Sequence, residues 1–435
     1  MTLPALTPPT APGRDLHNLV TRLYPLCRSI TGDGVRQTLD IIGESISLQV
    51  HEVPTGTPVF DWTVPREWNI SDAYIKDSSG ERVVDFRAST LHVMSYSVPV
   101  AAAMTLNELR PHLYTLPEQP DLIPYRTSYY AENWGFCLSH NVLQELAEGE
   151  YEVRIDSSLI DGHLTYGEHV VPGQVEDEVL VSCHVCHPSL ANDNLAGIAV
   201  AVSLAQRLTT GMAGKPWYTY RFLFIPGTIG SITWLAFNQN RVGRIAHGLV
   251  LACAGDRGGL TYKRSRRGDA EIDQVVRHVL RRSGRPHEVE DFSPYGYDER
   301  QFCSPGFNLP VGCLTRTPHA RYPEYHTSAD DLDFITPEAM GDTLETCWQV
   351  FGVLERNRRY VNLNPHCEPQ LGKRGLYGAI GGRSDTQEHQ MAMLWVLNLS
   401  DGQHTLLDIA ERSGMPFDLV TEAAGLLRVA NLVKG

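Results

Sequence analysis

Residues 178–205 constrain the fold of this chain more tightly than any other stretch. They begin with a short apolar run of β-branched residues, continue through a polar loop, and end in a segment rich in Ala, Leu and Val. This order predicts a buried strand, a loop and a helix. Ligands of open α/β sheets bind beyond the carboxyl ends of the strands, so His184, His187 and Asp193 lie where a site is expected.

These three side chains combine imidazole and carboxylate groups, which are the usual ligands of zinc-like metals. A purely structural interpretation stands beside this one: Asp193 or Asn192 caps the helix, and one histidine is a hydrogen-bonded core residue. Either role would be ordinary for one residue alone. Their clustering at the end of a single strand favours a metal or catalytic site.

Two cysteines lie around the first histidine. The run Cys183-His-Val-Cys-His187 formally matches a haem-attachment pattern. The pattern is short, and the attachment chemistry needs an export signal, which we do not find. Nothing around the two cysteines is typical of a thioredoxin unit, so we expect neither haem nor a redox pair.

Composition narrows the class of molecule. The chain has 435 residues, 42% of them hydrophobic and 20% charged, which predicts a full core and two or three domains. Its net charge of -14 argues against a dominant nucleic-acid-binding surface, since phosphate contacts need clustered Lys and Arg. We therefore expect a peptide or a small molecule as substrate, rather than a nucleic acid.

The N-terminal residues and the cysteines of the chain predict its cellular compartment. Residues 1–14 are rich in Pro and Thr and have neither a basic start nor an apolar run, which predicts a disordered lead-in rather than a signal peptide. No run of about 18 apolar residues occurs, so no membrane span is predicted. Nine cysteines, an odd number spread along the chain, indicate reduced thiols in a cytoplasmic protein.

Periodicity divides the chain into blocks. Residues 15–49 predict two amphipathic helices, and residues 146–359 alternate strand-like and helical runs, which indicates an α/β domain built on a mostly parallel sheet with helices on both faces. Residues 50–145, rich in Trp, Tyr and Pro, predict an inserted β-rich module whose aromatics form a small core or line a cleft. Residues 360–435 predict three short helices in a winged-helix outline.

Further candidate residues lie downstream. Asp256 follows the predicted strand at 247–255, on the rim where His184 is expected. His326 lies among acidic residues. Because carboxylates orient ligating imidazoles, His326 is a candidate ligand, with Asp330 or Asp331 as its support.

With these residues the chain resembles the aminopeptidase-like branch of the zinc aminopeptidase superfamily. The resemblance is carried by a strand ending in histidine, an Asp-Asn helix start, a carboxylate after a later strand and a late His-Thr, which here are His184, Asp193-Asn194, Asp256 and His326-Thr327. The loop Tyr297-Asp298-Glu299 is also similar. Three segments, at 61–68, 123–130 and 134–136, resemble the β-rich insert of that branch, and the tail resembles its winged helix.

The resemblance implies one or two divalent ions, with zinc as the expected metal. His184, Asp193 and His326 would be ligands, Asp193 could bridge two ions, and Asp256 would belong to the second position. Substrate binding would fall to Tyr297, Asp298 and Arg300. The implied activity is hydrolysis of an amide or peptide bond next to a free amino group; a cyclase similar to glutaminyl-cyclising enzymes is an alternative.

The chain departs from the superfamily after the apolar run at 218–225. A glutamate is expected there, before a Gly-Ser, and Gly227 stands in its place. Loss of that carboxylate would remove proton transfer worth roughly 10²–10⁴-fold in rate, unless another group supplies it. Glu299 and His187 are the candidates for catalytic base. The alternatives are a disabled protein, or one that binds a ligand without hydrolysing it.

The tail leaves a regulatory role open. Residues 391–435 carry three basic and five acidic side chains, and this balance disfavours DNA reading. We expect dimerisation, and hence a homo-oligomer, or a lid over the cleft.

Overall fold

A computed structural model describes residues 12–211, 214–376 and 386–435. The chain divides into two compact units, one up to Trp348 and one from Gln349 to Gly435. The second unit therefore starts before the predicted boundary at 360. None of the described helices combines the length and apolarity needed to cross a membrane.

The first unit contains most of the strands. In chain order they are β1 (Gln49–Pro54), β2 (Pro58–Val59), β3 (Trp62–Thr63), β4 (Glu67–Lys76), β5 (Arg82–Asp85), β6 (Val100–Thr105), β7 (Leu113–Tyr114), β8 (Phe136–Cys137), β9 (Glu150–Ile160), β10 (His163–Val171), β11 (Glu178–His184), β12 (Thr219–Ile225), β13 (Ile245–Leu251), β14 (Leu260–Lys263), β15 (His287–Glu290) and β16 (Val311–Thr315).

The helices that begin in this unit are α1 (Pro12–Leu23), α2 (Asp33–Gly43), α3 (Leu106–Leu109), α4 (His140–Glu145), α5 (Gly197–Thr210), α6 (Ile229–Phe237), α7 (Glu271–Ser283), α8 (Glu299–Phe302) and α9 (Pro337–Leu354). Helix α1 begins at Pro12, so residues 12–14 are helical rather than part of the predicted disordered lead-in. The rest of that predicted segment, residues 1–11, lies outside the described residues.

An eight-stranded sheet forms the centre of the first unit, in the order β1-β10-β12-β11-β13-β16-β14-β15. Its middle strands β12, β11, β13 and β16 are parallel, whereas β1, β10 and β12 pair antiparallel, as do β16 and β14. All seven residues of β11 are buried, as expected for a strand covered on both faces. The predicted α/β class is confirmed, with a mixed sheet whose parallel part is central.

The β-rich module is built around a four-stranded antiparallel sheet in the order β5-β4-β9-β6. The strand β9 pairs with both β4 and β6, and it lies beyond the predicted end of the module at residue 145. At the other end, β1 belongs to the central sheet instead of the module. Strand pairing between distant segments, which local periodicity does not encode, determines both differences.

The described residues of the second unit form a three-stranded antiparallel sheet and three α-helices of its own. Its strands are β17 (Arg359–Asn362), β18 (Asp401–Thr405) and β19 (Val433–Lys434), and its own helices are α10 (Thr386–Leu399), α11 (Leu406–Ser413) and α12 (Phe417–Val429). Helix α11 begins with a capping box, in which Thr405 and Asp408 each accept the other's backbone N–H. It ends at Gly414, which has a positive φ of 72°. The predicted winged-helix domain is confirmed.

One ion pair of the first unit predicts an acid-sensitive contribution to stability. Arg36 of α2 donates two hydrogen bonds of 2.8 Å to the carboxylate of Glu67, which is mostly buried on β4. These bonds lower the pKa of Glu67 from 4.5 to about 2. A depressed pKa stabilises the fold above pH 4.5, and this stabilisation is lost as the pH falls through about 2.

We expect Glu67→Gln to lower the free energy of unfolding by about 1–2 kcal/mol at pH 6, and the difference from the parent protein to vanish near pH 2. Urea denaturation at a series of pH values measures this. Glu44→Gln, which removes an exposed partner of Arg22, is the control and should leave the curve unchanged. A constant difference at all pH values would contradict the assignment.

Candidate active site

The carboxyl ends of the parallel strands bring the candidate residues to one edge of the sheet. The register of β11 and β12 runs from Glu178 opposite Thr219 to His184 opposite Ile225, so Gly227 follows just beyond His184. Asp256 comes after the end of β13 in the same way. Parallel strands that end together place their following loops side by side, which is the geometry predicted for a site.

Asp193 lies between two histidines. Its Oδ1 is 2.8 Å from Nε2 of His184, and its Oδ2 is 3.0 Å from Nε2 of His326. Asp193 is fully buried. Burial alone would raise its pKa, but electrostatic interactions with His187 and His184, together with the hydrogen bonds of His184 and His326, hold that pKa well below its usual value. A buried carboxylate kept ionised between imidazoles is a suitable metal ligand.

The capping interpretation of Asn192 and Asp193 is wrong. Helix α5 begins after Ala196 and has no side-chain cap, and Asp193 and Asn194 have non-helical backbone dihedrals in the irregular turn Ala191–Ala196. The carboxylate of Asp193 is therefore turned away from the backbone N–H groups of the helix and is available to the histidines.

His187 joins the same cluster. Ligand atoms of His184, His187 and Asp193 all lie within 4.8 Å of one another, and the ring of His187 is 5.2 Å from that of His326. Burial lowers the pKa of His187 to about 3, so its imidazole is neutral at physiological pH. A neutral imidazole has a free lone pair for a metal. Its place among the other ligands favours the metal-binding role over the predicted role of base.

Asp330 holds the turn that carries Asp193. Its carboxylate accepts hydrogen bonds from the backbone N–H of Asn192 at 2.6 Å and of Asp193 at 3.1 Å, and its carbonyl oxygen accepts one from Ala191 at 2.9 Å. Asp331 instead accepts backbone N–H groups of its own loop. The expected support from this acidic stretch thus acts on Asp193 rather than on His326.

Asp256 does not join the cluster. Its Oδ1 accepts hydrogen bonds from the backbone of Gly258 and the hydroxyl of Thr317, both at 2.7 Å. Its Oδ2 accepts two more, from the backbone of Thr317 at 3.1 Å and the side-chain amide of Asn192 at 3.0 Å. Both oxygens are engaged, so Asp256 ties three loops together instead of acting as the predicted ligand of a second ion. The ligand atoms of His184, His187 and Asp193 lie close enough together for a single zinc-like ion, and His326 adjoins them through the second oxygen of Asp193.

The two neighbouring acidic residues at the start of α8, Asp298 and Glu299, have different environments. Glu299 is fully buried and ion-paired with Lys263, whose Nζ also donates to the carbonyl of Tyr295 at 2.8 Å. This pairing disfavours the predicted role of Glu299 as base. Asp298 accepts a hydrogen bond from Ser231 at 2.8 Å, and burial raises its pKa to about 6. Its second oxygen has no hydrogen-bond partner among the described residues.

Of the residues predicted to bind substrate, Tyr297 contacts the cluster directly, whereas Arg300 contacts Tyr295. The ring of Tyr297 stacks on His184 with centroids 5.0 Å apart, and Arg300 lies over the ring of Tyr295 at 5.8 Å. A pocket of about 140 Å³ adjoins them. Its lining comprises Thr261, Lys263, Glu290, Ser293, Tyr295, Tyr297, Glu299, Cys313, Thr315, Pro318, His319 and Arg321.

Several residues around the cluster were missed as site residues by sequence reasoning. The ring of Tyr125 lies 5.0 Å from His187 and 4.9 Å from His326, and Tyr325 stacks on His326 at 3.9 Å. Arg28 donates from Nε to the carbonyl of His187 at 3.0 Å. The many aromatic residues of the β-rich module were the sequence feature from which a role of Tyr125 at the site could have been predicted. The segment around Tyr125 pairs with the His326 loop, which brings this aromatic residue of the module to the cluster.

Comparisons with known proteins identify the family of the chain and its fold. Residues 17–357 match the family model described as a domain of unknown function (DUF4910), and residues 358–435 match a winged helix-turn-helix. The chain belongs to the DUF4910 family. A relative from Clostridium acetobutylicum, provisionally named a polysaccharide biosynthesis protein with an aminopeptidase-like domain, is 54% identical over 97% of this chain and 96% of its own length.

Two solved structures extend the likeness of this DUF4910 chain. A provisionally assigned peptidase from Clostridium acetobutylicum has a TM-score of 0.91 at 52% identity, over 97% of this chain and 96% of that one. The zinc aminopeptidase from Bacillus subtilis has a TM-score of 0.58 at 11% identity, over 80% of this chain and 96% of that one. The predicted zinc-aminopeptidase-like fold is confirmed.

Proposed function

We propose that this protein is a metal-dependent hydrolase that cleaves an amide or peptide bond next to a free amino group. The observation that carries the proposal is the buried carboxylate of Asp193 held between His184 and His326, with His187 adjoining. Mixed imidazole and carboxylate donors of this kind favour zinc over magnesium or calcium, which prefer oxygen ligands alone.

The four ligand residues would hold one divalent ion, which supplies a Lewis acid for the amide carbonyl and for a water molecule. Asp330 keeps Asp193 in place, because it accepts the backbone N–H groups of the turn. Tyr297 and Tyr325 each stack on a ligand histidine, and these contacts fix the orientation of both rings. A site held in this way needs little rearrangement when substrate binds.

The substrate would be a peptide or an aminoacylated small molecule. The pocket beside Tyr297 is lined by two ion pairs, Lys263 with Glu299 and Arg321 with Glu290, and a charged terminal group of such a substrate would have to share or displace one of these partners. The Clostridium acetobutylicum relative is named for polysaccharide biosynthesis as well as for its aminopeptidase-like domain. A substrate panel therefore includes aminoacylated amino sugars beside peptides and aminoacyl anilides.

The experiment is elemental analysis of the unchelated protein, followed by hydrolysis assays with this panel before and after chelation. We expect about one zinc-like ion per chain, activity that chelation removes, and recovery when zinc is added. His326→Ala should lose both metal and activity. His404→Ala, which changes a histidine of the second unit, is the matched control and should keep both.

Absence of metal from the purified protein, with no gain on adding zinc, would contradict the proposal. Metal without hydrolysis of any substrate in the panel would instead favour a protein that binds its ligand through the ion.

A further inference from the structure

Position 227 is a glycine, where the superfamily resemblance leads us to expect a glutamate. The carboxylate of Asp298 lies beside this glycine. A Cβ atom built on Gly227 would lie 3.6 Å from each carboxylate oxygen of Asp298 and 3.2 Å from Cβ of His184. The carboxylate of Asp298 is thus in van der Waals contact with the point at which a side chain at 227 would begin, and that point also adjoins the candidate metal ligand His184.

The environment of Asp298 leaves one oxygen free. Ser231 of α6 donates to Oδ1 at 2.8 Å, which orients the carboxylate from the side of the helix. The other oxygen, Oδ2, is buried and has no hydrogen-bond partner in the described part of the chain. Buried polar atoms are normally satisfied, so an orphaned carboxylate oxygen at the edge of a site calls for a functional explanation.

The other two candidates for catalytic base, Glu299 and His187, have other partners. Glu299 is ion-paired with Lys263, and His187 lies among the ligand atoms of His184 and Asp193. Buried oxygens of both Asp298 and Glu299 are without a hydrogen-bond partner among the described residues, but Glu299 has Lys263 as its cation, whereas Asp298 forms no ion pair within that part of the chain.

We propose that Asp298 is the catalytic base, in the role that Gly227 leaves without a side chain. This inference rests on the proposed hydrolase function. The oxygen of a water molecule forms a bond to the amide carbon, the carbonyl electron pair moves to the carbonyl oxygen, and a water proton passes to Oδ2 of Asp298. The electron pair on that oxygen then re-forms the carbonyl as the carbon–nitrogen bond breaks, the electron pair of the broken bond stays on nitrogen, and Asp298 returns the proton to that nitrogen. The products are a carboxylic acid and an amine.

The test compares Asp298→Asn with the parent protein. Asn keeps the shape of the side chain but not its basicity, so we expect kcat to fall roughly 10²–10⁴-fold while the metal content and the thermal transition stay unchanged. Asp418→Asn changes an exposed carboxylate of the second unit and should leave kcat unaltered. In Asp298→Ala, formate or acetate should restore part of the lost rate, and chloride should not.

Ser231→Ala keeps the carboxylate and therefore tests the proposal even if the Asp298 variants fold poorly. The hydrogen bond from Ser231 lowers the pKa of Asp298, so its removal should move the acidic limb of the kcat/KM profile to higher pH. An unshifted limb would contradict the role of base. The same conclusion follows if Asp298→Asn keeps kcat within about threefold, or if it loses its metal and small carboxylates fail to rescue activity. Failure of the hydrolase function itself would show differently, as a parent protein that binds metal but hydrolyses nothing.

Discussion

Asp193→Asn is expected to lose metal affinity by about 100-fold or more and to lose hydrolytic activity with it. The substitution preserves the shape of the side chain but removes the negative charge that lies between His184 and His326. Three imidazoles would then face a neutral amide. Isothermal titration with zinc, combined with elemental analysis of the purified variant, measures the loss.

Asp256→Asn is the matched control, because Asp256 is also a buried aspartate beyond the end of a sheet strand. Its oxygens accept four hydrogen bonds from protein groups, so we expect the variant to retain its ion and to lose about 1–3 kcal/mol of stability. Equal loss of metal from both variants would restore the earlier expectation that Asp256 is a ligand.

Arg221→Leu is expected to lower the free energy of unfolding by about 3–5 kcal/mol. Arg221 is buried on β12, where it donates two hydrogen bonds to Glu178, at 2.6 and 2.7 Å, and one to Glu168, at 2.6 Å. Burial alone would raise the pKa of Glu168, but Arg221 and its other partners hold that pKa below its usual value. Removing the guanidinium leaves two buried carboxylates without their cation.

Urea denaturation of three variants separates this effect from a simple change of surface charge. Arg244→Leu breaks an exposed pair with Glu176 and should change stability by less than about 0.5 kcal/mol. The triple variant Arg221→Met, Glu168→Gln, Glu178→Leu removes the charges together and should recover at least half of the loss. If Arg221→Leu changed the free energy of unfolding as little as Arg244→Leu, the buried ion-pair network would contribute little to stability, contrary to this prediction. Glu178 and the candidate ligand His184 lie at opposite ends of β11. We therefore expect the same metal content in all these variants.

Local sequence was enough to predict the elements around the site. The apolar run at 178–184 and the helix-forming composition after it predicted β11 and α5, because period and composition are properties of neighbouring residues. The histidine at the end of β11, the Asp-Asn turn and the late His-Thr supplied His184, Asp193 and His326. The winged helix followed in the same way from short helical runs and turn residues.

Contacts between distant segments could not be predicted in this way. The β-rich module extends to residue 160, because β9 pairs with β4 and β6. Tyr125 reaches His326 from that module, although the two are far apart in the chain. Strand pairing over such separations depends on tertiary packing and leaves no local period in the sequence.

The acidic residues also separate what the sequence predicts from what the folded structure determines. The sequence by itself determined which carboxylates lie near the carboxyl edge of the sheet, since each follows a strand or precedes a helix. Only the tertiary structure decided that Asp193 faces histidines, that hydrogen bonds occupy Asp256, that Lys263 neutralises Glu299 and that Asp298 lies beside Gly227. A carboxylate's role depends on which donors, cations or empty space surround it, and those neighbours come from loops that meet only in the folded chain.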